Sequence, residues 1–273
     1  MLYEDQATDF DERAGIPPEA AEAVAGELAP LVGLNGGETV FEVGAGTGVL
    51  SIPIIRGAAR YIGFDRSPAM ISVFREKLRQ AGLDRGDEGN QRPAPELLVA
   101  DGEGRWPAAD GSADVIFSAR AVHHIDAAHV AAEARRVLRP EGGWLVLGRI
   151  YRPKDSVKSV LRRRMRHLLE ERGFIGHSHD RHADEVFSIL EEHGWHRLPV
   201  HVAAEWSVPR TPNFAINAWA GKDGFWGLDL PADVKAAVLA DLRAWAIERF
   251  GDLDAPLEQK EFFELASISL RTA

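Results

Sequence analysis

Residues 40–51 read VFEVGAGTGVLS, with Gly44, Gly46 and Gly48 two apart behind an apolar run and ahead of a helix-like one. A glycine turn between a strand and a helix lets a ligand approach backbone amides, and the helix N-terminus adds partial positive charge. Dinucleotide folds use G-x-G-x-x-G, whose third glycine would fall at position 49, where this chain has Val49. A phosphate-binding loop of the Gly-Lys-Ser/Thr kind does not occur here. Glu42 precedes the glycines. Asp65 ends a second apolar run 17 residues after Gly48, and Asp101-Gly102 ends a third. A carboxylate at the second position can accept both hydroxyls of a ribose. An acid at the end of a strand is open to the ligand, so removing Asp65 is expected to cost affinity and little stability. The other reading of Asp65 is support for the turn into the helix begun by Ser67-Pro68.

His123 and His124 follow a fourth apolar run. Either can take a proton from a hydroxyl nucleophile, or serve only to orient the turn before Asp126. Arg120 can anchor an acidic substrate or form an ordinary ion pair. The GHSHDRH stretch, with His177, His179 and His182, has metal-like spacing but no accompanying acid set, so no metal site is expected.

These groups need elements to hold them. Pro17-Pro18 opens a helix with Val24, Leu28 and Leu31 on one stripe. Residues 39–43 and 61–65 read as buried strands. Ser67 and Pro68 supply the N-cap and first position of the next helix, with Ile71, Phe74 and Leu78 inward. Residues 83–95 read as a polar Gly/Pro-rich loop. ELLVAD and ADVIFS are strands three and four. Asp126 caps a helix to about Arg139, and WLVLGRI is strand five. An amphipathic helix spans 156–172, with Arg162, Arg163 and Arg166 on its solvated side. Alternating strands and helices predict a mostly parallel sheet covered on both faces. The last ninety residues differ. A helix near 183–193 and a strand near 198–208 precede a tryptophan-bearing helical stretch, and KEFFELASISLR closes as a strand. Residues 211–252 are therefore expected to form a helical cap inserted into a core of 1–210 and 253–273, with Trp206, Trp219, Trp226 and Trp245 as its core or as a pocket lining.

The 273 residues suit one α/β domain with a cap. A net charge of −10 disfavours nucleic acid as a partner. No apolar run reaches membrane-span length, the N-terminus lacks an apolar signal region, and there are no cysteines. A cytoplasmic protein without disulfides or membrane attachment is expected.

Taken together, EVGAGTG, GFDRSPAM, VADGEGRWPAADGSADVIFSARAVHHI and EARRVLRPEGGWLVL resemble the class I S-adenosylmethionine (SAM) methyltransferases of the ubiquinone/menaquinone-biosynthesis type. The resemblance covers about 110 residues, from 39 to 149. It implies a Rossmann-like seven-stranded sheet with the last strand antiparallel, SAM as cofactor, and methyl transfer to oxygen, nitrogen or carbon of a small molecule. It implies cofactor contacts at Glu42, Gly44, Ala45, Gly46, Gly48, Asp65, Arg66, Met70, Asp101, Gly102, Glu103 and Ser118, with His123 and His124 as catalytic candidates. Adenine- and cytosine-N methyltransferases acting on DNA carry Asn/Asp-Pro-Pro-Tyr/Phe where this chain has SARAVHH, which favours a small acceptor. The alternative is a non-catalytic SAM-binding partner protein of the same fold. A nicotinamide dehydrogenase is disfavoured by Val49.

Overall fold

The computed structural model describes residues 15–87, 89, 92–176, 182–221, 224–225 and 228–270. His177, His179 and Trp226 lie outside them. The chain divides into two compact units. The first holds residues 1–149, 181–204 and 263–273; the second holds 150–180 and 205–262.

The first unit opens with α1 (Pro18–Val32), led by Pro17 and Pro18 and closed by Gly33 in the left-handed region. Val24 and Leu28 of the expected stripe are buried, and Leu31 is half-buried. Then come β1 (Thr39–Val43), α2 (Ser51–Gly57), β2 (Arg60–Asp65) and α3 (Pro68–Gln80). The Ser67 hydroxyl caps α3 by accepting from the Met70 amide at 3.3 Å, as its position before Pro68 predicts. β3 (Glu96–Val99), β4 (Val115–Ala119) and α4 (Ala127–Val137) follow. Asp126 caps α4 by accepting from the His129 amide. β5 (Trp144–Tyr151) completes the parallel part of the sheet.

Strand order is β3-β2-β1-β4-β5-β10-β6, with β7 also pairing β10. β10 (Leu257–Ser269) runs antiparallel to β6 (His196–Arg197). The sheet therefore has eight strands where seven are implied by the resemblance. The strand expected near 198–208 forms instead as β6 and β7 (His201–Arg210), both on β10. Pro199 lies in the break, where it offers no amide to the ladder. The boundary between units falls within β5, β7 and β10.

Every β1, β2 and β4 residue after the first position of its strand is shielded, because helices cover both faces. Phe41, Phe64, Trp106, Val130 and Val137 centre one core cluster. α6 (His182–Glu191) adds Val186, Phe187 and Leu190 to it.

The second unit has its own core. α5 (Val157–Glu170), α7 (Pro212–Ala220) and α8 (Ala232–Phe250) bury Leu161, Met165, Ile216, Trp219, Val238 and Leu242 together. A two-residue hairpin, β8 (Gly224–Phe225) with β9 (Leu228–Asp229), adds Phe225. Trp219 is core, and Trp245 packs at the edge of that cluster. The unit takes in residues on both sides of the 211–252 stretch, α5 included. No helix among the described residues is long and apolar enough to cross a membrane.

Candidate functional site

Register places the expected groups on one edge of the first unit's sheet. Val43 pairs with Phe64, Asp65 with Val99, and Glu42 with Phe117. The segments that follow β1, β2, β3 and β4 therefore leave from one row. β1 lies between β2 and β4, where strand order reverses, and open parallel sheets bind ligands at such a point.

The three glycines all have left-handed backbones, with φ of 71° at Gly44, 54° at Gly46 and 80° at Gly48. Their reasons differ. A Cβ on Gly44 would stand 2.1 Å from the Ala121 Cβ, and one on Gly48 would stand 2.2 Å from the Phe74 ring. Nothing lies within 4 Å of a Cβ on Gly46. Two glycines thus serve internal packing, and Gly46 alone faces open space.

Four of the loop's amides are bonded within the protein. The Gly44 and Ala45 amides both donate to the Phe64 carbonyl at 2.9 Å, and the Gly48 amide donates to the Ala45 carbonyl. The Gly46 amide donates to Asp65 Oδ2 at 3.0 Å. A pyrophosphate needs such donors.

Asp65 is a tie as well as a candidate ligand. Its Oδ1 accepts the Ser67 amide at 2.9 Å, so one carboxylate joins the glycine loop to the start of α3. These two bonds weigh against the expectation that its removal leaves stability nearly unchanged. A carboxylate has about four acceptor positions, so two remain for hydroxyls. Arg66 beside it is exposed, and Met70 is buried.

Glu42 lies behind the loop rather than on its open side. It is 3% exposed, and the Tyr61 hydroxyl donates to its Oε2 at 2.6 Å. Burial pushes its carboxyl up to about 7, with the Tyr61 hydrogen bond opposing. Burial, followed by the charge of Glu42, also holds the Tyr61 hydroxyl well above its ordinary value. Gly63 makes room for this pair, since a Cβ there would meet the Tyr61 hydroxyl at 2.6 Å.

After β3 the exposed Asp101 folds a tight turn, its Oδ1 accepting the Glu103 amide and its carbonyl accepting that of Gly104. Gly102 lies against Ile125, where a Cβ would be 2.5 Å from Cδ1. Glu103 is exposed. Sequence reasoning missed what supports this turn. Buried Trp106 donates its indole N–H to the Gly102 carbonyl at 3.0 Å and its amide to Glu133 Oε2 at 2.7 Å. Arg136 bonds both Glu133 oxygens and the carbonyls of Trp106 and Ala108. The Arg136 guanidinium holds the Glu133 carboxyl below its usual value, against partial burial. The signal was faint: EARR on α4 and one tryptophan far away in sequence.

After β4, the buried Ser118 hydroxyl donates to the Val43 carbonyl at 2.7 Å, locking β4 to β1 just before Gly44. Arg120 has a φ of 62°, a strained conformation for a non-glycine residue. His123 and His124 occupy a 3-10 turn, Val122–His124, with ring centroids 3.9 Å apart. His123 is half-buried and His124 exposed. Ala121, which Gly44 accommodates, begins that turn, so the glycine loop and the histidine turn pack directly.

Residues 41–147 match the family model described as a methyltransferase domain. An uncharacterized methyltransferase of Mycobacterium tuberculosis is 26% identical over 236 residues, covering 85% of this chain and 79% of that one. A demethylmenaquinone methyltransferase of Tropheryma whipplei is 31% identical over 142 residues, covering 51% of this chain and 53% of its own. The crystal structure of the YcgJ protein of Bacillus subtilis superposes with a TM-score of 0.57 at 20% identity, over 92% of this chain and 99% of that one. The last likeness is one of fold.

Proposed function

We propose that this chain, whose residues 41–147 match a methyltransferase domain, is a SAM-dependent methyltransferase that acts on a small-molecule acceptor. The observation that carries the cofactor assignment is the glycine loop. The amides of Gly44, Ala45, Gly46 and Gly48 are bonded within the protein, Gly46 is the one of its three glycines with open space at the Cβ position, and Asp65 stands bonded to that residue with acceptor capacity to spare. When bound, SAM supplies a methyl carbon already activated by its sulfonium.

The chain's own residues hold and align. Asp65 accepts the ribose hydroxyls, in charge-assisted bonds. The Asp101–Glu103 turn, supported by Trp106, sits beside the adenine. Gly46 admits close approach, with Gly44, Ala45 and Gly48 shaping the loop. Arg66 is exposed at the same edge, Met70 and Ser118 support it from within, and Glu42 acts from behind through Tyr61. Displacement in line needs the acceptor atom aligned behind the methyl carbon and water excluded. If the acceptor is a hydroxyl, His123 or His124 takes its proton as the new bond forms. The net charge of −10 supports a small acceptor over nucleic acid, and the absence of cysteine fits a cytoplasmic setting.

Calorimetry with S-adenosylhomocysteine and with NAD tests the cofactor, and label transfer from methyl-labelled SAM into a low-molecular-weight metabolite fraction tests the acceptor. Binding of NAD and not of S-adenosylhomocysteine overturns the reading. Binding of S-adenosylhomocysteine without transfer to any small molecule favours a SAM-binding partner protein.

A further inference from the structure

The second unit carries a polar cluster that the methyl-transfer site does not use. Glu261 on β10 is 2% exposed. Arg152, directly after β5, brackets it, Nε donating to Oε1 at 2.8 Å and Nη2 to Oε2 at 3.1 Å. Arg210, at the end of β7, adds a looser pair to Oε1, at 3.4 Å from Nε and 3.3 Å from Nη2. Two guanidiniums on one carboxylate leave the cluster with an excess positive charge. The arginine side chains are 23% and 24% exposed, so a small solute can reach them. Each guanidinium has five N–H donors. The Nη1 groups of both have no acceptor among the described residues.

A second, independent donor points the same way. Trp206 on β7 is 7% exposed, and its indole Nε1 is buried without a hydrogen-bond acceptor among the described residues. Lys260 and Glu205 pair across β10 and β7 on the exposed face. Strand alternation therefore turns their neighbours Glu261 and Trp206 to the other, buried face. A buried indole N–H that finds no acceptor costs free energy, and this uncompensated donor lies on the same buried face as the carboxylate that the two arginines bracket.

Donors with excess positive charge and no matching acceptor define the missing group. We propose that Arg152, Arg210 and Trp206 form a binding site for the carboxylate or phosphate of a small organic anion. Glu261 holds the two guanidiniums in place.

The test uses the full chain labelled with ¹⁵N at its tryptophan indoles, seven in all. Trp206→Phe identifies the Trp206 resonance by its loss and keeps the ring's bulk. Inorganic phosphate and benzoate are titrated separately, with chloride at matched ionic strength as control. The site predicts a saturable displacement of the Trp206 N–H resonance by phosphate, benzoate or both, and none by chloride. Which of the two acts assigns phosphate or carboxylate. Affinity for the active anion, read by calorimetry, falls on the order of 10-fold or more in Trp206→Phe and in Arg210→Gln. Arg210→Lys retains the charge that pairs Glu261 but loses the fork, and weakens the anion too. No response to either anion, an equal response to chloride, or unchanged affinity in both Trp206→Phe and Arg210→Lys overturns the site. S-adenosylhomocysteine titrated into the same samples separates the two readings. If it binds while the anions do not, the anion site alone fails. If the anions bind while it does not, the site stands and the methyltransferase reading fails.

Discussion

Asp65 Oδ2 accepts the Gly46 amide at 3.0 Å, which makes the carboxylate proposed to hold the ribose part of the loop it faces. Asp65 Oδ1 accepts the Ser67 amide as well. Binding and folding are therefore coupled through one side chain.

Asp65→Ala removes both amide acceptors and the ribose acceptor. Leaving part-buried amides unpaired costs on the order of 1–3 kcal/mol, so the ligand-free melting temperature falls. S-adenosylhomocysteine affinity falls by about 10- to 150-fold, the worth of a hydrogen bond to a charged group. Asp65→Asn retains one oxygen acceptor and loses the charge, so both losses are smaller. Calorimetry beside ligand-free melts measures the two effects. Full affinity in a destabilised Asp65→Ala protein would leave Asp65 as a turn support only.

The Glu42–Tyr61 pair predicts a pH dependence of stability. Burial raises the folded-state value of Glu42 from an ordinary 4.5 to about 7. Its contribution is thus fully present below about 4.5 and is lost as pH rises through about 7. Glutamine mimics the protonated carboxyl and still accepts from Tyr61. Glu42→Gln is expected to match wild type near pH 4.5 and to exceed it at pH 8, by up to about 3 kcal/mol. Urea melts at both pH values check this. A constant difference across the range would show that Glu42 does not titrate with folding.

The parallel core was legible because its signals are local. Period, turn residues and the Ser67 and Asp126 caps all act within a few positions. The strand-end acids followed from the same pattern. What escaped depends on distance in sequence. Tyr61 meets Glu42 only once β1 and β2 are in register, and Trp106 meets Glu133 across 27 positions. The glycine loop was readable as a motif but not in its chemistry, since only the fold shows its amides consumed by Phe64 and Asp65. The division of β6 from β7 at Pro199 was likewise hidden behind one continuous apolar pattern.

His123 and His124 make a paired test of proton transfer. A general base contributes on the order of 100-fold or more to turnover. With a hydroxyl acceptor, His123→Ala or His124→Ala should lower kcat by that amount with S-adenosylhomocysteine affinity unchanged. The close contact of the two rings, centroids 3.9 Å apart, means that both changes also relax the turn. Equal, small losses of kcat with equal losses of melting temperature would assign both residues to support.

The glycines separate packing from ligand approach most sharply. Gly44→Ala places a methyl group 2.1 Å from the Ala121 Cβ, at a φ of 71° that alanine resists. Both the loop and the histidine turn must move, so the variant should lose well over 1 kcal/mol of stability. Gly46→Ala meets nothing within 4 Å and bears only the left-handed strain, about 1–2 kcal/mol. It should fold, and its new methyl group should occupy the space through which a ligand reaches the loop beside Asp65. The expected result is a modest fall in melting temperature with at least a 10-fold loss of S-adenosylhomocysteine affinity. Melts and calorimetry on the two variants read both quantities. Wild-type affinity in Gly46→Ala would mean that the ligand does not approach the loop at its one open position.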